Sequence, residues 1–122
     1  MNGLDAKQRR DLFRGSFDVM VLAVLADGRQ YGYAIQKRVH QASGQTIKAG
    51  TLYPLLHRLE AEGLVAATWE TGAGRDRKWY ALTPAGQARL KAAAADWQAA
   101  FARMQALILP ALRRVAAQPI PE

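Results

Sequence analysis

The chain has 122 residues, half of them apolar and 22% charged, which bounds it to one globular domain with a single modest core. It contains no cysteine and two histidines, which excludes disulfides, thiolate metal sites, cysteine nucleophiles and a histidine-rich metal centre, so no cofactor is expected. A formal net charge of +7 and a pI near 10.3 favour a polyanionic partner, nucleic acid before membrane.

Residues 1–15 read as a basic N-terminal arm with a disordered start. Neither a signal peptide nor an apolar run of about 18 residues is visible, so a cytoplasmic protein without a membrane partner is expected. Asp5 is placed to cap a short helix ending at Gly15. Lys7, Arg9, Arg10 and Arg14 make that helix basic, while Leu12 and Phe13 give it one apolar edge. It either touches phosphates or a partner subunit, or is a solvated helix held by Phe13.

Ser16 is a good N-cap for the next helix, and Asp18 suits its positive end. Phe17, Met20, Val21, Val24 and Leu25 form a wide apolar stripe with Leu22 beside it, and Asp27-Gly28 ends the segment. Tyr31-Gly32-Tyr33 opens a second helix running to about Ala42, with Ile35 and Val39 inward and Gln36, Lys37 and His40 outward. One tyrosine is expected to pack and the other to donate its hydroxyl to a phosphate.

The stretch from Ala49 to Leu64 is a helix with two different faces. Leu52, Leu55, Leu56 and Leu59 recur at helical spacing and face a core. Thr51, Tyr53, Pro54, His57 and Arg58 fall on the other side and can reach nucleic acid. With Thr51 as N-cap, Pro54 lies in the first turn, where its missing N–H costs little. Gly63 stops the helix. Leu64 to Thr71 and Arg77 to Thr83 then read as strands joined by Gly72-Ala73-Gly74. Pairing symmetric about Gly74 sets Thr68 opposite Tyr80 and Trp69 opposite Trp79, the two tryptophans sharing the outer face. Arg75, Arg77 and Lys78 at the tip form a phosphate or minor-groove probe, or a solvated turn.

Thr83-Pro84 starts a last helix expected to reach about Leu109 and to break or kink at Pro110, with a second short segment over Ala111 to Ala117 and a tail from 118 to 122. Leu90, Ala94, Trp97, Phe101, Met104 and Ile108 recur in alternating steps of four and three, the spacing of a coiled-coil seam. Such a seam predicts a homodimer. Trp97 at its middle would face its copy, able to sandwich a flat ligand or simply to fill the dimer core.

Three helices, a β-hairpin and a long helix predict a mainly α fold with a small β-hairpin: a winged helix-turn-helix over 16–83 plus a C-terminal dimerisation helix over 84–117. In that architecture the third helix enters the major groove and the wing touches backbone or minor groove. The residues Tyr31-Gly32-Tyr33, Gly50-Thr51-Leu52-Tyr53-Pro54, Arg58-Leu59-Glu60, Gly63-Leu64, Arg77-Lys78-Trp79-Tyr80, Leu82-Thr83 and Gly86 resemble the PadR family of transcriptional regulators, in its short form with a single C-terminal helix. The resemblance covers roughly residues 12–97, with Trp79 where tyrosine is common. It implies a homodimeric repressor on a near-palindromic double-stranded DNA operator, released in several branches by a small aromatic or cationic effector. Mapped here, it implies DNA contacts from Thr51, Tyr53, Pro54, His57 and Arg58, with Lys48 at the helix entrance; Tyr31 and the tip cations Arg75, Arg77 and Lys78 join them as candidate contacts on the reading of the residues above. Arg58 is the favoured base reader because a guanidinium donates twice to guanine, a phosphate contact or an ion pair with Glu62 being the alternative. An effector would meet Trp97, Phe101 and Phe13. A winged-helix module that docks protein without binding DNA is the competing reading. An enzyme is not expected, since no nucleophile–base pair or facing carboxylates occur at useful spacing, and Glu60 and Glu62 do not face each other.

Overall fold

The computed structural model describes Gly3 and residues 5–8, 14–72, 74 and 76–118, the side chain of Arg14 excepted. Phe13, Arg75 and the tail beyond Gln118 therefore lie outside the described residues. A short 3₁₀ turn, Arg14–Ser16, leads into α1 (Phe17–Leu25), β1 (Gln30–Tyr31), α2 (Gly32–Ser43), α3 (Ala49–Ala61), β2 (Val65–Glu70), β3 (Arg77–Leu82) and α4 (Pro84–Ala117). Near the N-terminus, Asp5 caps a helical turn over 6–8: its Oδ1 accepts from the Gln8 N–H at 2.7 Å while Gln8 Oε1 accepts from the Asp5 N–H at 2.9 Å.

The core follows from the apolar spacing. Val21, Leu22, Val24 and Leu25 of α1, Ile35 and Val39 of α2, and Leu52, Leu55, Leu56 and Leu59 of α3 close on Leu64, Val65 and Tyr80. Each fully buried aliphatic side chain contributes about 1.5–3 kcal/mol. Ile47 is also buried, and nothing in the polar connector around it signals this. Gln36, expected outward, turns instead to that connector and donates from Nε2 to the Ile47 carbonyl at 3.0 Å.

The sheet corrects two expectations. It has three antiparallel strands in the order β1-β3-β2, because Gln30 and Tyr31 pair with Tyr80 and Trp79 before α2 begins. The register of β2 and β3 is also one residue off the expected one. Glu70 pairs with Arg77, Trp69 with Lys78, Thr68 with Trp79, and Ala67 with Tyr80. The symmetry point falls between Ala73 and Gly74 rather than on Gly74, since the pair Glu70–Arg77 closes a loop with an even number of residues. A slip of one residue exchanges faces, so Trp69 and Trp79 occupy opposite sides of the wing. Val65, Ala67, Tyr80 and Leu82 share the inward side.

Helix α3 starts at Ala49, as expected, but with a different cap. Lys48, not Thr51, is the N-cap residue, and its carbonyl already accepts from the N–H groups of Thr51 (2.9 Å) and Leu52 (2.8 Å). Pro54 therefore sits inside the helix, past the first turn. Its ring removes the bond to the Gly50 carbonyl, and both residues are exposed, so water can serve that oxygen. The far end is a Schellman cap: Gly63 takes the left-handed conformation (φ 74°), its N–H donates to the Glu60 carbonyl at 3.0 Å, and the Leu64 N–H to the Leu59 carbonyl at 2.9 Å. Helix α4 runs through Pro110 to Ala117 without the expected break. The flanking leucines and alanines are strong helix formers on both sides of the single missing hydrogen bond.

One compact unit ends at Leu90 and a second begins at Lys91. In the first, Leu90 packs half-buried against its own chain's core rather than serving only the seam. In the second, Trp97, Phe101, Met104 and Ile108 are exposed along α4, and Ala94 is half-buried.

Candidate nucleic-acid interface

Helical geometry sorts the outer residues of α3 into a ridge and two flanks. Gly50, Pro54, His57 and Ala61, all exposed, form the ridge. Thr51, Arg58 and Glu62 lie along one flank; Tyr53 and Glu60 lie along the other. Lys48 stands exposed at the helix entrance. The ridge is low, made of small residues and one imidazole, so another surface can approach its backbone closely.

Each flank is tied to a neighbouring element. On the first, Arg58 Nη2 donates to Asp18 Oδ2 of α1 at 2.6 Å, and Arg58 Nη1 lies 3.8 Å from Glu62 Oε2. The hydrogen bond and charge of Asp18 raise the Arg58 pKa further above its ordinary value. The guanidinium is half exposed. The alternative pairing with Glu62 is present, but Asp18, 40 residues away in sequence, is the shorter contact.

On the second flank, Tyr53 leans on α2. A Cβ added at Gly32 would meet the Tyr53 ring at 2.8 Å, so the glycine of Tyr31-Gly32-Tyr33 is the seat for the tyrosine of Gly50-Thr51-Leu52-Tyr53-Pro54. Lys78 reaches from β3 to Glu60 Oε1 at 3.4 Å and lies 5.5 Å from the Tyr80 ring centre and 5.8 Å from that of Trp69. Burial raises the Tyr80 pKa, and neighbouring Lys78 partly opposes the shift. A cleft of about 380 Å³ opens between the start of α2, α3 and the wing, walled by Tyr31, Tyr33, Tyr53, Trp69, Arg77 and Lys78.

The two tyrosines of α2 separate clearly. Tyr31 packs edge-on against Trp79 with centroids 5.2 Å apart, and Arg77 sits over its ring at 4.6 Å. Tyr33 is 65% exposed, the better placed of the two to donate its hydroxyl outward. Trp79 is covered on the outer wing face by Tyr31 and by Arg29, whose guanidinium lies 4.5 Å from the ring centre. Trp69 remains 62% exposed in the cleft. Tyr33 is thus the better candidate for the phosphate-donating tyrosine, while Asp18 and Glu60 join this surface unexpectedly, through contacts distant in sequence.

Beneath the ridge, the end of α3 is fastened to the start of α4. Thr83 Oγ1 donates to the Gly63 carbonyl at 2.7 Å and accepts from the Gly86 N–H at 3.0 Å; the Thr83 N–H donates to the Leu64 carbonyl at 3.1 Å. A Cβ at Gly86 would collide with the Leu64 carbonyl oxygen and come within 2.7 Å of Leu82 Cδ1. Further along α4, Trp97 and Phe101 stack on each other at 5.1 Å and 8°.

Three helices, a three-stranded wing sheet and an exposed third helix flanked by cations define a winged helix-turn-helix protein. The sequence pattern of the transcriptional regulator PadR-like family matches residues 21–92, and the chain belongs to that family. It is 37% identical over 81 residues to transcriptional regulator Rv3488 of Mycobacterium tuberculosis, a match covering 66% of this chain and 75% of the relative. It is 44% identical over 73 residues, 60% of its length, to an uncharacterized 37.1 kDa protein in a transposon of Streptomyces fradiae, and that match spans 20% of the larger protein. A crystal structure of a PadR family transcriptional regulator from Eggerthella lenta superposes with a TM-score of 0.77 at 35% identity, covering 84% of this chain and 90% of the other. The family is one of transcriptional regulators, not an enzyme class. Among the described residues, no helix is long and apolar enough to cross a membrane.

Proposed function

We propose that the chain is a repressor that binds a near-palindromic operator as a homodimer, with α3 in the major groove and the wing on backbone or minor groove. The observation that carries this reading is the convergence of Lys48, Tyr33, Tyr53, Arg77 and Lys78 around the low ridge of α3. A ridge of Gly50, Pro54, His57 and Ala61 admits close contact with base edges, and His57 is its one polar reader. The hydroxyls of Thr51, Tyr33 and Tyr53 and the wing cations fit phosphates. Tyr31, half-buried beneath Arg77, acts by supporting the wing. Arg58 joins the base-reading set once it leaves Asp18. Arg75 would extend the cationic tip.

Dimerisation is assigned to α4. Ala94, Trp97, Phe101, Met104 and Ile108 keep the four–three spacing, and Ala111 and Val115 continue it because the helix passes Pro110. Two half-sites presented together raise affinity and select their spacing. A small aromatic or cationic effector is assigned to the paired Trp97–Phe101 surface of the dimer, and its binding releases the operator.

Selection of bound duplexes from the chromosomal DNA of the source cell tests this reading. The expected result is enrichment of a short inverted repeat whose binding weakens steeply as salt rises. Enrichment no better than for random DNA at moderate salt would overturn it. A protein-docking module would instead retain its partner after Arg58 and Arg75 are changed to alanine.

A further inference from the structure

We propose that Asp18 is a specificity-determining residue of the DNA-binding face: its carboxylate holds the Arg58 guanidinium away from phosphates and yields it only to a base that offers two acceptors. The inference rests on the DNA-binding reading above.

The geometry supports it at three points. Arg58 Nη2 donates to Asp18 Oδ2 at 2.6 Å, a short charge-assisted bond, and Nη1 points towards Glu62 Oε2 at 3.8 Å. Both donors of one edge of the guanidinium are thus turned towards carboxylates. The same edge is needed to read guanine O6 and N7. Asp18, Arg58 and Glu62 together carry a net charge of −1 on a chain whose net charge is +7, so this flank of α3 is locally unattractive to phosphate. Finally, the pair is half exposed, so exchange of partner requires no unfolding.

Partner exchange then discriminates between DNA sites. A phosphate offers Arg58 what Asp18 already offers, a pair of anionic oxygens, and it must bring its negative charge up to the Asp18 and Glu62 carboxylates, which a neutral base does not, so little is gained by leaving. A guanine in register offers two aligned acceptors, and such a contact discriminates against the wrong base by roughly 5- to 150-fold. Asp18 thereby removes one cation from non-specific binding while leaving it available at the operator. The spacing of 40 residues between the two hides this pairing from the sequence.

The test is a double-mutant cycle of Asp18→Asn and Arg58→Ala, with affinities for the selected operator and for a random duplex of equal length measured across a salt series. Asp18→Asn is expected to bind the random duplex about 3- to 10-fold tighter. Its log K against log salt should steepen by about 0.9, the value of one added phosphate contact, and the operator-to-random ratio should fall. In the Arg58→Ala background the same change should do neither. An unchanged salt slope in Asp18→Asn overturns the inference. So does an equal gain with Arg58 absent, which would make Asp18 a plain repelling charge. Should the Asn variant fail to fold by circular dichroism, Asp18→Ser keeps a residue suited to a helix start and replaces it in the cycle. Wild-type protein that binds operator and random duplex equally would remove the DNA-binding reading itself, a result separate from the outcome of the cycle.

Discussion

Gly86→Ala isolates the joint between α3 and the long C-terminal helix. Gly86 occupies the first turn of α4 and is buried. On propensity alone, alanine should improve the helix by up to about 1 kcal/mol. The built Cβ, however, falls on the Leu64 carbonyl oxygen and lies 2.7 Å from Leu82 Cδ1 and 3.1 Å from the Leu64 carbonyl carbon. The first obstacle is backbone, fixed by the Schellman cap of α3 and by the Thr83 N–H at 3.1 Å, so it cannot swing aside as a side chain does. Overpacking of this kind costs about 1–3 kcal/mol. Displacing the carbonyl from Thr83 adds about 1 kcal/mol. The net expectation is a loss of about 1–3 kcal/mol, or roughly 5–15 °C in melting temperature. Circular dichroism melts at one fixed protein concentration measure it, since the proposed dimerisation would make the melting temperature concentration-dependent. Gly50→Ala is the control: it lies in α3 with no atom within 4 Å of its built Cβ, and should be neutral or slightly stabilising. A melting temperature for Gly86→Ala equal to or above that of wild type would refute the reasoning.

Three further outcomes are expected. Gly32→Ala meets only the end of the Tyr53 ring, a flexible side chain, so stability should change little; operator affinity in a gel-shift titration should nonetheless fall by about tenfold, the loss of roughly one hydrogen bond, because the ring is pushed from its seat. Thr83→Ala removes the hydroxyl shared by the Gly63 carbonyl and the Gly86 N–H and should cost about 1–2 kcal/mol in urea unfolding; an unchanged midpoint would show that this joint carries no load. Burial raises the Tyr80 pKa, so the folded chain keeps a proton that the unfolded chain releases near pH 10. Its contribution is therefore whole below about pH 10 and is lost as pH climbs towards the folded value; Tyr80→Phe should flatten that alkaline decline, and parallel stability–pH curves for the two proteins would contradict it.

Much of this architecture was legible because it rests on short-range physics. The spacing of Leu52, Leu55, Leu56 and Leu59 determined the buried face of α3, since a helix repeats every 3.6 residues wherever it occurs. Thr83-Pro84 and Gly63 marked a helix start and stop through capping and left-handed backbone, both local properties. The four–three spacing from Leu90 to Ile108 was readable for the same reason. Even so, burial of Leu90 against its own core depended on where the winged unit ends.

The interface is different in kind, because its contacts join residues far apart in the chain. Local pattern assigned strands to 65–70 and 77–82, but their register turned on a loop closure that composition does not encode, and a one-residue slip moved Trp69 and Trp79 to opposite faces. Two residues ahead of α2 became a third strand only because Trp79 and Tyr80 were there to pair with them. Arg58 could be named from sequence as an outward cation on α3. That it is held by Asp18, that Tyr53 rests on Gly32, and that Thr83 joins the end of α3 to the start of α4 were decided by tertiary packing alone. Periodicity fixes which way a side chain points from its own element; what it meets there depends on the path of the rest of the chain.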